Sequence, residues 1–410
     1  MYDVIVVGAR CAGSPTAMLL ARRGHRVLVL DRASFPSDTV STHYIHQSGL
    51  TRLRDWGLLG ELAATNAPAI RRANFAYRDI ELSGFADPVD GIDTGYAPRR
   101  AVLDQILVNA ARRAGAEVVE GFGVSDLVFS EGRVVGVRGR ERGGPEREFR
   151  ADIVIGADGC RSIVAKRTRA EPYKVVPATG VNYYAYHSGL DWALEHRVGF
   201  NEIWCGGWPT NDGLTVLAVI CGKNRFKEFR QDVEANFQAT FDEIHPELGA
   251  QLRDQGKREG DFVAMPHADN YYRHPWGPGW ALVGDAGYHK DPYPGFGITD
   301  AFMHSEILAE RLHQALSGER PMDSALAEYH KLRDETSASN YEFTTKLSAF
   351  GELSPRLRAV FGAIRRSPEW TTKLFGLFAG GVEHHEIFSR QAVERLYDDT
   401  GVPPHERVYG

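Results

Sequence analysis

The sequence predicts an α/β fold, in which a parallel sheet is interleaved with an antiparallel layer and followed by C-terminal helices. Three observations predict it: a strand–helix–strand pattern at the N-terminus, buried-strand patterns that return at 151–159 and 280–287, and an aromatic-rich segment between these two. Strands buried on both faces are near-continuous apolar runs, which is typical of parallel sheets.

The N-terminal element is a βαβ unit of about 30 residues. DVIVV at 3–7 and RVLVLDR at 26–32 predict two buried strands, while 14–23 are good helix formers that end at Gly24, a natural C-cap. Further on, 100–115 predicts a helix and AEVVEG after it a strand. Other patterns predict short antiparallel strands within 124–150, a strand at LTVLAVICG (214–222) and helices at 298–316 and near 355–365 and 386–397.

Composition and charge exclude several classes of function. The 410 residues are 43% hydrophobic and 25% charged, as in an ordinary globular protein. A net charge of −6 gives no electrostatic reason to expect nucleic acid as a partner. No apolar run reaches the roughly 18 residues of a membrane span, and no signal peptide is evident. The four cysteines (Cys11, Cys160, Cys205 and Cys221) have no metal-ligand spacing. We therefore expect a soluble cytoplasmic protein with reduced thiols and no metal.

A glycine pattern lies at the first strand–helix turn. Gly8 and Gly13 match the first and third glycines of a dinucleotide-binding G-x-G-x-x-G fingerprint, but Arg10 replaces the second. The glycines allow a tight turn and close helix packing, and the helix N-terminus offers N–H groups to a pyrophosphate. The Arg10 guanidinium could reach the phosphates or turn to solvent. Asp31 ends the second strand, where an acidic side chain accepts from ribose hydroxyls, although a plain surface aspartate is the alternative.

Two further strand ends carry aspartate beside glycine. VIGADGCRSIVAKR (154–167) ends a strand at Asp158, and ALVGDAGYHKDPYPGFGITDA (281–301) ends one at Asp285 before a glycine-rich helix start. A fixed carboxylate suits a polyol chain, and a glycine-rich helix start suits a flat, electron-rich ring. Each corner alone is compatible with an ordinary strand–turn–helix connection. The three in this order indicate one nucleotide that carries such a ring.

With these motifs the chain resembles the flavoprotein family of para-hydroxybenzoate hydroxylase-like fold, which includes single-component aromatic hydroxylases, geranylgeranyl-type reductases and flavin-dependent halogenases. The resemblance covers roughly 1–60, 96–170 and 277–320. It implies a Rossmann-like FAD-binding domain with an interleaved antiparallel substrate domain. The residues that it assigns to FAD are Gly8, Ala9, Gly13, Ser14, Asp31, Arg32, Arg100, Val124, Asp158, Asp285, Pro292, Gly295, Gly297 and Ile298.

The resemblance also implies which portion of the cofactor several residues contact. The first corner would hold the ADP half, Asp285 the ribitol, and Gly297 with Ile298 the flavin ring. Arg100 resembles an arginine that begins a helix and contacts the cofactor. Asp158 would organise the surroundings of FAD and NAD(P)H rather than touch reacting atoms.

Boundaries follow from the same resemblance. We expect three FAD-binding segments, at 1–70, 96–170 and 277–350. Substrate-domain strands (71–95) and the antiparallel substrate-binding domain (171–276) lie between them, and a C-terminal helical region (351–410) follows.

Several positions depart from the family pattern. Besides Arg10, Tyr288 stands where hydroxylases have a histidine, and Thr299 replaces the usual asparagine. The GDAG…DP motif is as close to reductases and halogenases as to hydroxylases. In WCGGWPTNDG the tryptophans are four apart rather than two, and no isoleucine precedes Pro209, which counts against halogenation.

The candidate catalytic and substrate residues lie in two segments. In the family, the segment matching 37–59 runs beside the flavin, so we expect His43 to act as the catalytic base and His46 to face the substrate. A histidine pair with structural hydrogen bonds is the alternative, favoured more for His46. Alternation on a strand would turn half of the aromatics in 183–208 toward the flavin side, although core packing is the commoner role. The substrate candidates there are Tyr184, Tyr186, Trp204 and Trp208.

The leading hypothesis is an FAD-dependent monooxygenase. By resemblance, it would use NAD(P)H as co-substrate and molecular oxygen to hydroxylate an aromatic or similarly electron-rich small molecule through a flavin hydroperoxide, in secondary metabolism or catabolism. The sequence shows no second dinucleotide fingerprint, which fits a nicotinamide that binds transiently. The alternative is a flavin-dependent reductase of an isoprenoid or other alkene, with a long apolar tunnel. A halogenase and a flavoprotein without turnover are further alternatives.

Overall fold

The computed structural model describes residues 1–199, 203–293, 295–349 and 353–409. The strands are β1 (Tyr2–Val7), β2 (Val27–Leu30), β3 (Ala73–Tyr77), β4 (Ile80–Gly84), β5 (Glu117–Val119), β6 (Phe122–Ser130), β7 (Arg133–Glu141), β8 (Arg147–Gly156), β9 (Pro172–Val176), β10 (Gly180–Ser188), β11 (Leu194–Val198), β12 (Ile203–Pro209), β13 (Thr215–Gly222), β14 (Lys257–Pro266), β15 (Asn270–Arg273), β16 (Trp276–Gly277), β17 (Trp280–Leu282) and β18 (Tyr288–His289). The helices are α1 (Gly13–Ala21), α2 (Gln47–Asp55), α3 (Leu59–Ala63), α4 (Arg100–Arg113), α5 (Ile163–Thr168), α6 (Phe226–Phe229), α7 (Val233–Ile244), α8 (Pro246–Gln255), α9 (Gly297–Leu316), α10 (Met322–Leu347), α11 (Pro355–Ile364), α12 (Pro368–Ala379), α13 (His385–Phe388) and α14 (Arg390–Asp399).

The first sheet is the parallel one predicted from the apolar runs. Its order is β16-β17-β8-β1-β2-β5, and β1 pairs in parallel with both β2 and β8. Val4, Ile5 and Val6 are wholly buried, as expected for a central strand covered on both faces. Helix α1 packs against α4 and α9 on one face of this sheet, so the N-terminal βαβ unit lies at its centre.

A second, seven-stranded sheet joins distant stretches of the chain in the order β14-β10-β13-β12-β11-β3-β4. Neighbouring strands are antiparallel except β3 and β11, which are parallel. Helices α7 and α8 cover one face, and α11, α12 and α14 pack on the other. The predicted fold class, a parallel layer with an interleaved antiparallel one and C-terminal helices, is confirmed. The segment boundaries stay a prediction.

The segment 124–150 forms the predicted antiparallel strands, but they are longer than expected. Instead of short strands it forms β6, β7 and the start of β8, which have nine, nine and ten residues. Of the three glycines that suggested turns, Gly132 lies in the turn between β6 and β7, with φ +78°. The other two lie within β7: a Cβ on Gly136 would approach the Phe149 carbonyl oxygen to 2.1 Å, and one on Gly139 that of Gly123 to 2.3 Å. These glycines permit close backbone approach inside the strands.

Two groups of helices were not predicted. Helix α10 spans 26 residues, but Arg333, Ser337 and Thr344 lie on its buried face and interrupt the apolar periodicity that marks a helix. Helices α6 to α8 lie within the segment expected to be antiparallel strand. Across the described ranges, no helix has both the length and the apolar character needed to cross a membrane.

Candidate functional site

The three predicted corners meet in direct backbone contact. A Cβ on Gly8 would approach the Ala157 carbonyl oxygen, at the end of β8, to 2.5 Å, and Gly8 has φ +104°. A Cβ on Gly13 would lie 1.8 Å from the Gly8 carbonyl oxygen, and one on Gly284 only 2.7 Å from Ala12 Cβ. Since these contacts leave no room for a side chain, glycine permits the three strand ends to form one groove.

Two arginine side chains lie beside the first turn. Arg100 donates to Asp104 at 2.9 and 3.1 Å, and Arg10 donates to the same carboxylate and, at 3.0 Å, to Ser37 Oγ. Asp104 is completely buried. Two guanidiniums share one carboxylate, which leaves a net positive charge next to the N-terminus of α1, where no acidic side chain occupies the first turn. This arrangement suits a diphosphate.

Arg10 has two partners within the protein, and its contact with the phosphates stays a prediction. Its guanidinium neither turns to solvent nor lies free above the turn, because it binds Asp104 and Ser37. Asp104 is not among the residues expected from the sequence to bind the cofactor. The spacing in the sequence could have indicated this ion pair, since Asp104 lies four residues after Arg100 on α4, and side chains four apart on a helix are neighbours.

Asp31 connects the first turn to the end of β2. Its carboxylate oxygens accept from the Ala9 and Ala33 N–H groups, both at 2.7 Å. It is 8% exposed, so it is not a plain surface residue. Each oxygen keeps a lone pair for a ribose hydroxyl. Three other residues that the family resemblance assigns to FAD lie nearby. Ser14 is buried and its hydroxyl donates to the Ala9 carbonyl at 2.9 Å, whereas Arg32 is exposed and Val124, on β6, is half-buried.

The second and third corners carry the other two aspartates. Asp158 Oδ2 accepts from the Ile163 N–H at 2.6 Å, at the start of α5, while its Oδ1 is buried without a described partner. Burial raises the pKa of Asp158. Asp285 is exposed in a 3₁₀ turn, and its carbonyl accepts from Tyr271 Oη at 2.7 Å. A free oxygen of Asp158 and an open carboxylate of Asp285 fit the hydroxyls of a polyol chain.

The same corner brings together a set of metal-type ligands that the sequence spacing did not reveal. The ligand atoms of Cys160, Asp285 and His289 lie within 4.8 Å of one another. Burial raises the pKa of the Cys160 thiol, which opposes the thiolate form that metals bind. The cluster therefore favours a metal less than its spacing suggests.

The loop before α9 lies against the segment that follows the βαβ unit. Gly295 has φ +95° and donates to the Pro292 carbonyl at 2.8 Å, and a Cβ on it would lie within 4 Å of Thr42, Tyr44 and His46. Gly297 is exposed, with open space where a Cβ would stand. The next residues of α9, Ile298 and Thr299, are buried, and Thr299 Oγ1 accepts from the His46 N–H at 3.3 Å.

His43 is completely buried beside this loop. It has φ +63°, and its Nε2 lies 2.8 Å from Tyr186 Oη. Its Nδ1 forms no hydrogen bond with a described residue. Burial lowers the pKa of His43 to about 4, so the ring is neutral near pH 7 and can accept a proton. Tyr186 Oη lies 3.5 Å from Asp38 Oδ2 at the surface, and Arg99 lies over the Tyr186 ring at 4.8 Å.

His46 precedes the first residue of α2, but its side chain makes no capping hydrogen bond there. Its ring stacks on Phe296 with a centroid distance of 4.8 Å and meets the edge of Tyr44 at 4.7 Å. Tyr288, the residue that departs from the hydroxylase pattern, packs instead against Tyr272 and His304.

The sheet register places the aromatic candidates. Tyr184, Trp204 and Trp208 lie in one buried cluster with Tyr44 and Tyr293, and Tyr186 packs against it. Tyr183 faces the opposite way, against helices α6 and α7. The four candidates therefore share the face that packs toward Tyr44 and the loop before α9.

Two connected chambers lie on this face. The one beside the loop before α9, named the inner chamber, has about 350 Å³ of empty space, and the other, named the outer chamber, has about 500 Å³; both values include space open to solvent. The inner chamber is lined by Thr42, Tyr44, Asn182, His196, Trp204, Trp208, Ala218, Ile220, Pro292, Tyr293 and Gly295. The outer chamber is lined by Tyr44, His46, Gln47, Ala73, Phe75, Phe85, Ala86, Leu194, His196, Tyr293, Phe375, Phe378 and Ala379.

Tyr44, His196 and Tyr293 line both chambers and mark the junction between them. Neither these residues nor Asn182 were singled out in the sequence. Burial lowers the pKa of His196 to about 4, so its ring is also neutral near pH 7. Tyr184 and Tyr186 line neither chamber and instead flank His43.

Comparison with known proteins agrees with this geometry. The family model described as FAD binding domain matches residues 1–344. The chain is 27% identical over 355 residues to a digeranylgeranylglycerophospholipid reductase of Methanosarcina acetivorans, covering 84% of this chain and 83% of the reductase.

Solved structures show the same fold. The flavin-dependent brominase Bmp2 superimposes with a TM-score of 0.81 at 20% identity, covering 97% of this chain and 99% of the brominase. PqsL of P. aeruginosa in complex with 2-aminobenzoylacetate superimposes with a TM-score of 0.70 at 19% identity, covering 92% and 99%. With the family match and the converging corners, these findings lead to one conclusion. The chain belongs to the FAD binding domain family and is a flavin-dependent oxidoreductase of the para-hydroxybenzoate hydroxylase-like fold.

Proposed function

We propose that the protein is an FAD-dependent monooxygenase that uses NAD(P)H and molecular oxygen to hydroxylate an aromatic or similarly electron-rich small molecule. One observation carries this proposal: a buried, neutral histidine, His43, lies in the sequence between Thr42 and Tyr44, which line the inner chamber, and is connected to the surface through Tyr186 and Asp38. His43 itself lines neither chamber. Hydroxylation of a phenol or aniline is assisted by a base that removes its proton.

FAD, when bound, would accept a hydride from the nicotinamide and activate oxygen toward the substrate. The residues proposed to hold it are those of the three corners, with the diphosphate near α1 and Arg100, the ribitol at Asp285, and the ring against Gly297 and Ile298. The exposed Gly297 leaves the start of α9 open to a flat ring, and the positive end of the α9 dipole would stabilise negative charge there.

The chain itself would bind, orient and dehydrate the substrate. Trp204, Trp208 and Tyr44 wall the inner chamber with apolar rings, which exclude water and hold a planar ring near the loop before α9. His43 would take the substrate proton at Nδ1 and release its Nε2 proton to Tyr186 Oη. Burial raises the pKa of Tyr186, so its hydroxyl stays protonated and can pass its own proton to Asp38.

A second candidate function is reduction of an alkene with a long apolar chain. The outer chamber favours it, since Phe75, Phe375 and Phe378 are among its lining residues, and a reductase of geranylgeranyl lipids is among the relatives. The His43–Tyr186–Asp38 connection favours hydroxylation, because hydride transfer to an alkene does not require deprotonation of a ring substituent.

The two functions separate in one experiment. The purified protein is mixed with NADH or NADPH and a panel of phenols and anilines, with and without oxygen. Hydroxylation predicts substrate-stimulated oxygen uptake and a product heavier by one oxygen atom, labelled when ¹⁸O₂ is supplied. Reduction predicts nicotinamide oxidation under nitrogen with an alkene and no label. If neither substrate class stimulates nicotinamide oxidation, both proposals are wrong.

A further inference from the structure

The inner chamber contains polar atoms that have no described partner. Asn182 and Trp208 are 6% and 4% exposed, and both line the chamber. Neither Asn182 Oδ1 nor Trp208 Nε1 forms a hydrogen bond with a described residue. Buried polar groups are normally paired, so this pair is placed to accept one hydrogen bond from a ligand and to donate another.

The two chambers provide no charge for a charged ligand. Among their lining residues within the described ranges, none is an arginine, lysine, aspartate or glutamate. His196 is neutral near pH 7 because burial lowers its pKa to about 4. The buried Lys290 is paired with Asp300 at 2.6 Å and lines neither chamber. A carboxylate in the inner chamber would be buried without a counter-ion, which is strongly unfavourable.

The outer chamber is suited to an apolar group. Beyond the junction at Tyr44, His196 and Tyr293, its walls come mainly from aromatic and alanine side chains of β3, the chain after β4 and helix α12. Burial of an apolar chain against such walls is favourable in proportion to the area removed from water.

We infer that the substrate is uncharged and has two portions: a flat head that carries a hydrogen-bond donor and an acceptor, bound in the inner chamber by Asn182 and Trp208, and an apolar tail bound in the outer chamber against α12. This inference rests on the proposed function for the position of the head next to the cofactor. The binding preference itself follows from the chambers alone.

The test measures binding without turnover. Dissociation constants are obtained, under nitrogen and without nicotinamide, from perturbation of the flavin absorbance and quenching of tryptophan fluorescence. The probes are 4-hydroxyphenyl alkyl ketones from 4-hydroxyacetophenone to 4-hydroxyoctanophenone, with 4-hydroxybenzoate as the charged counterpart. We expect about fourfold tighter binding per methylene until the outer chamber is filled, and 4-hydroxybenzoate to bind on the order of 100-fold more weakly than 4-hydroxyacetophenone.

Variants assign the effect to each chamber. Ala379→Leu, in the outer chamber, should weaken the longest ketone most and leave 4-hydroxyacetophenone unchanged, whereas Ala327→Leu, at an exposed position of α10, should change neither. Trp208→Phe should weaken the ketones by about tenfold relative to a 4-alkylphenol, which lacks the carbonyl, and Asn182→Leu should weaken them by about tenfold relative to a phenyl alkyl ketone, which lacks the hydroxyl. Bound FAD and the circular dichroism spectrum verify folding, and Trp208→Phe keeps the test intact if Asn182→Leu does not fold.

The outcomes separate this inference from the proposed function. Affinity that is independent of chain length, or 4-hydroxybenzoate that binds as tightly as the ketones, overturns the inference even if oxygen is consumed. Ketones that bind in the expected order without stimulating oxygen uptake support the inference and contradict hydroxylation.

Discussion

Asp104 offers a sharp test of how the groove is held together. It is completely buried and pairs with Arg100 and Arg10, whose side chain is 26% exposed. Asp104→Asn keeps the size of the side chain but removes its charge, so two guanidiniums face each other without compensation. Removing one partner of a buried pair costs about 3–5 kcal/mol. Because solvent screens Arg10, we expect a loss near the lower end, about 3 kcal/mol, in the free energy of unfolding of the FAD-free protein.

Bound FAD should reduce this loss, because its diphosphate brings negative charge to the same guanidiniums. The assay is urea unfolding of the FAD-free and FAD-saturated forms, followed by circular dichroism. Asp126→Asn is the control, since Asp126 forms a half-exposed pair with Arg167 at 3.1 Å and should change stability by about 0–1 kcal/mol. A loss that is equal with and without FAD, or below about 1 kcal/mol in the free protein, refutes the placement of the diphosphate.

Three further predictions concern the cofactor, the base and pH. Asp285→Ala should weaken FAD retention, because it removes the exposed carboxylate proposed to hold the ribitol; a variant that keeps its full yellow colour after gel filtration contradicts this. His43→Ala should slow hydroxylation by about 10²–10⁴-fold with FAD still bound, and Tyr186→Phe should act in the same direction; turnover equal to that of the unmodified protein removes His43 as the base. Burial lowers the pKa of His43 and His196 to about 4. As pH falls from about 6.5 to 4, the unfolded chain therefore takes up protons that the folded chain does not, and the free energy of unfolding should decrease across that interval. Urea midpoints that stay constant between these pH values contradict this prediction.

Local patterns in the sequence were sufficient for the parallel sheet. The strand at 3–7, the glycine turn and the two later strand ends each depend on residues close together in the chain, and the family resemblance linked them to one cofactor. Arg10 could not be placed in this way, because its position depends on Asp104, which lies on a different element.

The chambers depend on long-range packing that periodicity does not reveal. Which face of β10 carries Tyr184 is set by pairing with β13 and β14, and the outer chamber exists because α12 packs beside β4. Helix α10 was missed for a different reason, since buried Arg333 donates to the carbonyls of Arg273 and Gly287, both at 3.0 Å, and places a charge where a helical pattern expects an apolar residue.

The most direct test is a crystal structure of the protein with FAD and 4-hydroxyoctanophenone. We predict the diphosphate at the start of α1, the ribitol at Asp285, the ring against Gly297 and Ile298, and the ketone head in front of it with its chain toward α12. A flavin bound away from these three corners, or a ketone bound outside both chambers, would contradict it.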